Sequence, residues 1–263
     1  MVTDQMNRLV TNLQKEDFQI YENNQQQEIG SFAKADAPAS IGILFDLSGS
    51  MTSKMVWARE SILRFIKKAN PNDEFFVIGF NDRLELIEDF PGSVEDLQDR
   101  LATVRSGHRT ALIDAIYLGL DKMKEARHDR KALLVVSDGA DNYSRHTERQ
   151  LRTQVRQSDV EIYSIGIFNP YLPTPEERTG PQLLDKLGKE TGGRLFRVED
   201  FSKVGDIGEG ISALLRNQYF IGYRPTDLTR NGKWRKVEVQ VTPRPGLPPL
   251  TVHARTGYYA PLQ

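Results

Sequence analysis

The apolar and polar positions divide the chain into three stretches of different texture. Between residues 39 and 217, short apolar runs alternate with segments of helical period. Ile41–Asp46 (IGILFD), Glu74–Phe80 (EFFVIGF), Lys131–Asp138 (KALLVVSD) and Val160–Ile167 (VEIYSIGI) have the nearly unbroken apolar character of strands buried on both faces. Between the first two, Met55, Ala58, Ile62, Phe65 and Ala69 recur at helical spacing. Leu112, Ala115, Ile116, Gly119 and Met123 do the same within Thr110–Glu125. Further helices are predicted near Val94–Val104 and over Arg145–Gln157, Gln182–Glu190 and Lys203–Asn217. LELIEDF after the Asn81–Asp82 turn reads as an antiparallel strand, and GGRLFRVE as a last parallel one. The proline-rich Asn169–Pro181 reads as a surface excursion. Repeated strand-then-helix units predict an α/β fold: a doubly wound, mostly parallel sheet with helices on both faces.

The flanks change period. In residues 1–38, KEDFQIYENNQQQEIGSF reads as strand, turn and strand, anchored by Phe18, Ile20, Ile29 and Phe32. In residues 218–263, YFIGYRP, WRKVEVQVTP and LTVHARTGYY are β-rich runs joined by NGK and PRPGLPP turns. Strands without intervening helices do not extend a parallel sheet easily. The two flanks are therefore expected to pack together as a small antiparallel layer beside the 39–217 domain.

Composition narrows the chemistry. The 263 residues include no cysteine, which excludes disulfides, thiol nucleophiles and cysteine-ligated metals. With 35 basic and 36 acidic side chains, the net charge of −1 gives no nucleic-acid signature. The cationic EARHDRK run reads as a solvated connection between a helix and a strand. No apolar stretch approaches membrane-spanning length, the densest being Ala132–Val136. The first ten residues show no signal-peptide core. The expected location is cytoplasmic if this is a full gene product. It is the periplasm, envelope or exterior if this is a fragment that has lost its export signal.

The sharpest local pattern is DLSGS, Asp46–Ser50, where the first buried strand stops and a helix follows. In doubly wound sheets, ligands sit at the carboxyl ends of strands near the switch in strand order. One carboxylate and the hydroxyls of Ser48 and Ser50 are hard oxygen donors, suited to Mg²⁺ or Mn²⁺. Asp138 ends another buried strand, and Thr110 opens a helix, where it could equally serve as an N-cap. Asp46, Ser48, Ser50, Thr110 and Asp138 thus fall on three strand-end loops. Together they can supply two carboxylates and three hydroxyls to one ion, with water completing the shell.

These residues resemble the von Willebrand factor type A domain with its metal-ion-dependent adhesion site. Asp46, Ser48 and Ser50 match its DxSxS loop, Thr110 in GHRTALIDAI its second loop, and Asp138 in VVSDGAD its third. The resemblance implies a Rossmann-like fold, a bound Mg²⁺ (with Mn²⁺ or Ca²⁺ as alternatives), and a protein partner whose Asp or Glu completes the coordination. The flanks resemble a bacterial, acidobacterial-type subgroup of these domains. One departure is visible: His108 and Arg109 stand where small glycines are usual before the Thr. With Asp114 and Asp141 they are candidates for the rim or the supporting shell.

Other readings are weaker. There is no GxGxxG after the first strand and no GxxxxGK[ST]. An aspartyl-phosphate phosphatase would want an acid where Ser48 stands. None of His108, His128, His146 or His253 belongs to a nucleophile-and-base pattern. The sequence therefore points to a metal-dependent protein-binding module and not to an enzyme. Mg²⁺-assisted phosphate-ester hydrolysis, or an envelope or assembly scaffold with a vestigial metal site, are the alternatives.

Overall fold

The computed structural model describes residues 1–34, 37–168, 175–198, 200–242 and 249–262. Four short strands come first: β1 (Val2–Thr3), β2 (Phe18–Glu22), β3 (Gln25–Gln27) and β4 (Ile29–Lys34). The α/β repeat follows. It runs β5 (Ala39–Asp46), a 3₁₀ segment Gly49–Lys54, α1 (Met55–Lys67), β6 (Glu74–Phe80), β7 (Leu84–Glu88), α2 (Val94–Thr103), α3 (Leu112–Lys122), β8 (Arg130–Ser137), α4 (Glu148–Gln157), β9 (Val160–Gly166), α5 (Pro175–Thr191), β10 (Leu195–Arg197) and α6 (Val204–Arg216). The chain closes with β11 (Tyr219–Tyr223), β12 (Trp234–Val241), β13 (Thr251–Val252) and β14 (Gly257–Tyr259).

The central sheet has the order β10-β9-β8-β5-β6-β7, parallel except for the antiparallel edge strand β7. Strand periodicity sends alternate residues of β5 to opposite faces. Ile41, Ile43 and Phe45 pack with Met55, Ala58, Ile62 and Phe65 of α1 and with Val204 and Ile211 of α6. Leu44 joins Ile116 and Leu120 of α3, Leu151 of α4 and Leu184 and Leu187 of α5 on the other face. The doubly wound fold read from the sequence is therefore the observed one.

Element ends differ in detail. The fourth helix starts at Glu148 and not Arg145, because Thr147 caps it: its hydroxyl accepts the Gln150 N–H, and the Gln150 side chain returns to the Thr147 N–H. The helix expected from Gln182 begins at Pro175, so the end of the supposed proline-rich excursion is helical. Residues 169–174 of that excursion lie outside the described residues.

Among the flank strands, β12 pairs with β2 over Val237–Val241, with Val239 opposite Ile20, and β14 and β3 complete that sheet. β4 pairs with β11, and β1 with β13. The strands enclose a second core of Val2, Leu13, Phe18, Ile20 and Ile29, in which the Phe18 ring lies 5.0 Å from Tyr219 and 5.7 Å from Phe32. Glu22 and Arg235 form a buried ion pair there at 3.0 Å, and Tyr223 and Tyr258 both donate to the other Glu22 oxygen at 2.7 Å.

Candidate functional site

β5 and β8 lie side by side at the middle of the sheet. The chain goes from β5 to β6 on one side, while β8 and β9 build the other. Strand order reverses between them, and their carboxyl ends open the crevice in which such sheets hold ligands. The register sets Phe45 opposite Val136, so the next residues are Asp46 and Ser137. The Ser137 hydroxyl donates to Asp46 Oδ2 at 2.5 Å, and the Ser48 N–H donates to Oδ1 at 2.9 Å. Asp46 is wholly buried. Burial, and then the negative charge of Asp138, push its carboxyl up to about 7 against the pull of these donors.

The loop after β5 carries the hydroxyls. Ser48 is buried, Ser50 is exposed at the mouth, and their oxygens lie 3.1 Å apart. The second loop is laced to the first: Gly49 N–H donates to His108 O at 3.1 Å and Gly107 N–H to Leu47 O at 2.7 Å. Thr110 is buried in that loop. Its N–H donates to Asn142 Oδ1, and its carbonyl accepts the N–H groups of Asn142 and Tyr143, all at 3.0 Å. The residue preceding α3 is Ala111, so the N-cap position is not Thr110's.

The third loop leaves β8 at Asp138, also wholly buried. Its Oδ1 accepts the Ala140 N–H at 3.3 Å, and its Oδ2 receives the Lys54 ammonium at 3.0 Å. Gly139 follows at φ +79°, a conformation that favours glycine, with its N–H on Ser137 Oγ at 2.9 Å.

The outer candidates are held in different ways. His108 is exposed at φ +70°, its Nδ1 3.9 Å from the Asp82 carboxylate. Arg109 lies over the Tyr143 ring, 5.6 Å from its centroid. Asp114 binds His146 Nδ1 at 2.7 Å and accepts the N–H groups of Arg145 and His146 at 3.0 and 2.9 Å. Burial opposes its ionisation, but these bonds hold its carboxyl below the usual range. Asp141 Oδ1 accepts the Ile113 N–H at 3.2 Å and the Ser144 hydroxyl at 2.5 Å, supporting the start of α3. Burial raises its carboxyl.

The strand-end crevice therefore gathers two buried carboxylates and two serine hydroxyls. Among the described residues, no group of three or more His, Cys, Asp and Glu side chains is placed to hold a metal ion by itself. Any ion here would be held by hydroxyls as much as by carboxylates. Hard oxygen donors beside two buried like charges fit a small divalent cation. The sequence offers Asn142, beside Asp141, as a rim residue or a turn former, and its Oδ1 accepts the Thr110 N–H. Two other participants carry no such signal. Ser137 could have been found from strand register. Lys54 stands at helical spacing with Met51 and Ala58, on a face that is otherwise apolar.

A doubly wound, mostly parallel sheet with helices on both faces, and buried acidic and hydroxyl side chains at its switch point, defines an α/β domain of the Rossmann-like class. The family model of the von Willebrand factor type A domain matches residues 40–210, and the chain belongs to that family. Domains of this family are typically adhesion or structural modules and not catalysts. An uncharacterized protein of Borreliella burgdorferi is 23% identical over 216 residues, which are 69% of this chain and 63% of that protein. A von Willebrand factor type A protein from Catenulispora acidiphila superposes with TM-score 0.55 at 16% identity, over 79% of this chain and 52% of that one. BatB from Bacteroides thetaiotaomicron superposes with TM-score 0.54 at 18% identity, over 68% of this chain and 98% of that one. At these identities the solved structures share the fold. The chain spans less than two thirds of the length of the Borreliella relative and about half of the Catenulispora structure.

Proposed function

We propose that this chain is a metal-dependent protein-binding module of the adhesion-site type. Asp46, Ser48, Ser50, Thr110 and Asp138 would hold a divalent cation, Mg²⁺ by donor chemistry, with Mn²⁺ or Ca²⁺ as alternatives. The observation that carries this reading is the pair of wholly buried carboxylates, Asp46 and Asp138, facing one crevice with the buried Ser48 hydroxyl and, 3.1 Å from it, the exposed Ser50 hydroxyl. Mutual repulsion makes such a pair costly without positive charge between or beside them. Bound there, the ion would supply an open coordination position for a carboxylate from a protein partner. The Arg109–Tyr143 pair at the rim gives that acid a cationic neighbour.

In this reading, residues 39–217 form the binding domain. The flanks 1–38 and 218–263, which resemble those of the acidobacterial-type subgroup, form its attached β-layer. A partner captured in Mg²⁺ should be released by EDTA and recaptured when Mg²⁺ is restored. Its critical Asp or Glu should not tolerate change to Asn or Gln. Capture that persists undiminished with metal-free protein would place recognition elsewhere.

A further inference from the structure

Lys54 is the only buried lysine among the described residues, 6% exposed, and its ammonium reaches Asp138 Oδ2 at 3.0 Å. A lysine normally lays its methylenes along the protein and keeps its charge in water. Taking the charge inside is unfavourable unless a partner of opposite sign is held for it. Here the chain makes that provision. Lys54 closes the 3₁₀ segment Gly49–Lys54, which also contains Ser50, and shares a buried face with Met51, Met55 and Ala58. Its neighbours on that face are apolar and belong to the core against the sheet. The ammonium is aimed instead at the one carboxylate that faces Asp46 across the crevice.

We propose that Lys54 is an internal cation that competes with the divalent ion for Asp138, and so raises the ion concentration at which the site fills. The inference rests on the metal reading of the same crevice. An ammonium at hydrogen-bond distance from a carboxylate oxygen occupies the direction a metal would take, and two positive charges cannot share that oxygen without strong repulsion. Loading the site therefore requires the ammonium to leave Asp138. Until it leaves, it relieves the repulsion between Asp138 and Asp46. The lysine thus favours the metal-free fold and opposes the loaded one. A lysine that merely braced the site would favour both.

The test is calorimetric titration of Mg²⁺, and of Mn²⁺, into the wild-type chain and into Lys54→Met and Lys54→Arg. Thermal unfolding of each is followed in EDTA. The expectation is a gain of at least about tenfold in affinity for Lys54→Met, because a competing charge has been removed. The same variant should melt lower in EDTA, while Lys54→Arg should keep the weak affinity of the wild type. Equal or weaker binding by folded Lys54→Met, with binding retained by the wild type, overturns the role of Lys54 and leaves the metal reading standing. Binding by Lys54→Met alone supports the role of Lys54 and overturns the metal bridge in the native chain. Binding by neither form overturns both. Should Lys54→Met fail to fold, acylation of the wild type by a small amine-reactive reagent decides, read at Lys54 by mass spectrometry. Faster labelling in saturating Mg²⁺ than in EDTA supports displacement of the ammonium, and unchanged labelling overturns it.

Discussion

Gly180 of α5 is pressed against Gly139, in the loop that carries Asp138. A Cβ placed on Gly180 would lie 2.1 Å from the Gly139 carbonyl oxygen, and one placed on Gly139 would lie 2.9 Å from the Gly180 backbone. Helix and loop meet backbone to backbone, so neither can yield by turning a side chain. Gly180→Ala should therefore cost about 1–3 kcal/mol in denaturant unfolding, as overpacked sites do. It should also weaken divalent-ion binding, because the displaced loop carries Asp138. Wild-type stability and affinity in the variant would show that the loop position does not depend on this contact.

Asp46→Asn separates charge from shape at the centre of the crevice. In EDTA the variant should be as stable as the wild type or slightly more so, because Asp138 no longer faces a second carboxylate. Its melting temperature should no longer rise with Mg²⁺, since ligand stabilisation follows occupancy of the native state alone. An Mg²⁺-induced rise equal to that of the wild type would place the ion elsewhere.

Ser137→Ala removes the hydroxyl that donates to Asp46 and accepts from Gly139. Both partners are buried, so the loss should be about 1–3 kcal/mol, the usual cost of leaving such groups unsatisfied. Ser137→Thr, which keeps the hydroxyl, should recover part of it. Equal unfolding midpoints for the wild type and Ser137→Ala would mean that water replaces the hydroxyl at no cost.

The flanking layer has its own pH dependence. Burial, and then the charge of Arg194, lower the His253 imidazole from its ordinary 6.5 to about 4. The unfolded chain then binds a proton that the folded chain refuses between those values. Its contribution is complete above pH 6.5, declines as pH falls through that window, and declines no further below about 4. The difference in melting temperature between wild type and His253→Gln should therefore change across this window and be constant above it. A constant difference from pH 8 to pH 4 would show that His253 titrates normally in the fold.

Breaking the buried ion pair of the layer should be severe. Glu22→Gln leaves the buried Arg235 with the half-exposed Asp227, 3.5 Å away, in place of its buried charge partner, and loss of one member of a buried pair costs up to about 3–5 kcal/mol. Hydrogen exchange should accelerate in β2 and β12 before it does in β5 and β8. Uniform acceleration across both regions would show that layer and α/β domain unfold as one unit.

The central sheet was legible because β5, β6, β8 and β9 are buried on both faces, leaving runs such as ILFD and LLVV that no amphipathic helix produces. Asp46 and Asp138 were legible because they end such runs. Helix starts were less so: Pro175–Gly180 is helical although Pro and Gly bracket it, since proline in a first turn loses no intrahelical bond. Lys54 was hidden by its type. A lysine in a helical pattern reads as a solvated position, and only the crevice facing it explains why it is inside. The contacts of Asp114 and Asp141 were hidden because they depend on how α3 meets the loop leading to α4, and chain spacing does not encode that meeting.

The pairing of β2 with β12 has a consequence for how the chain acquires its structure. Glu22 and Arg235 stand 213 positions apart, and the whole α/β repeat lies between them. On a ribosome, β2 emerges long before its partner exists, so its apolar positions Phe18 and Ile20 wait uncovered while the central sheet assembles. Closing so large a loop in the unordered chain is entropically slow. Once the repeat has folded, β4 and β11 are delivered to neighbouring points at the amino end of its central strands, where Arg130 bonds both the Ala37 and Leu215 carbonyls, and the search becomes local. The α/β domain thus acts as a template for the layer attached to it. Refolding should show the sheet forming first and the layer in a later phase, during which the exposed edge of β2 is the part of the molecule most open to a chaperone or to misassembly with a second chain.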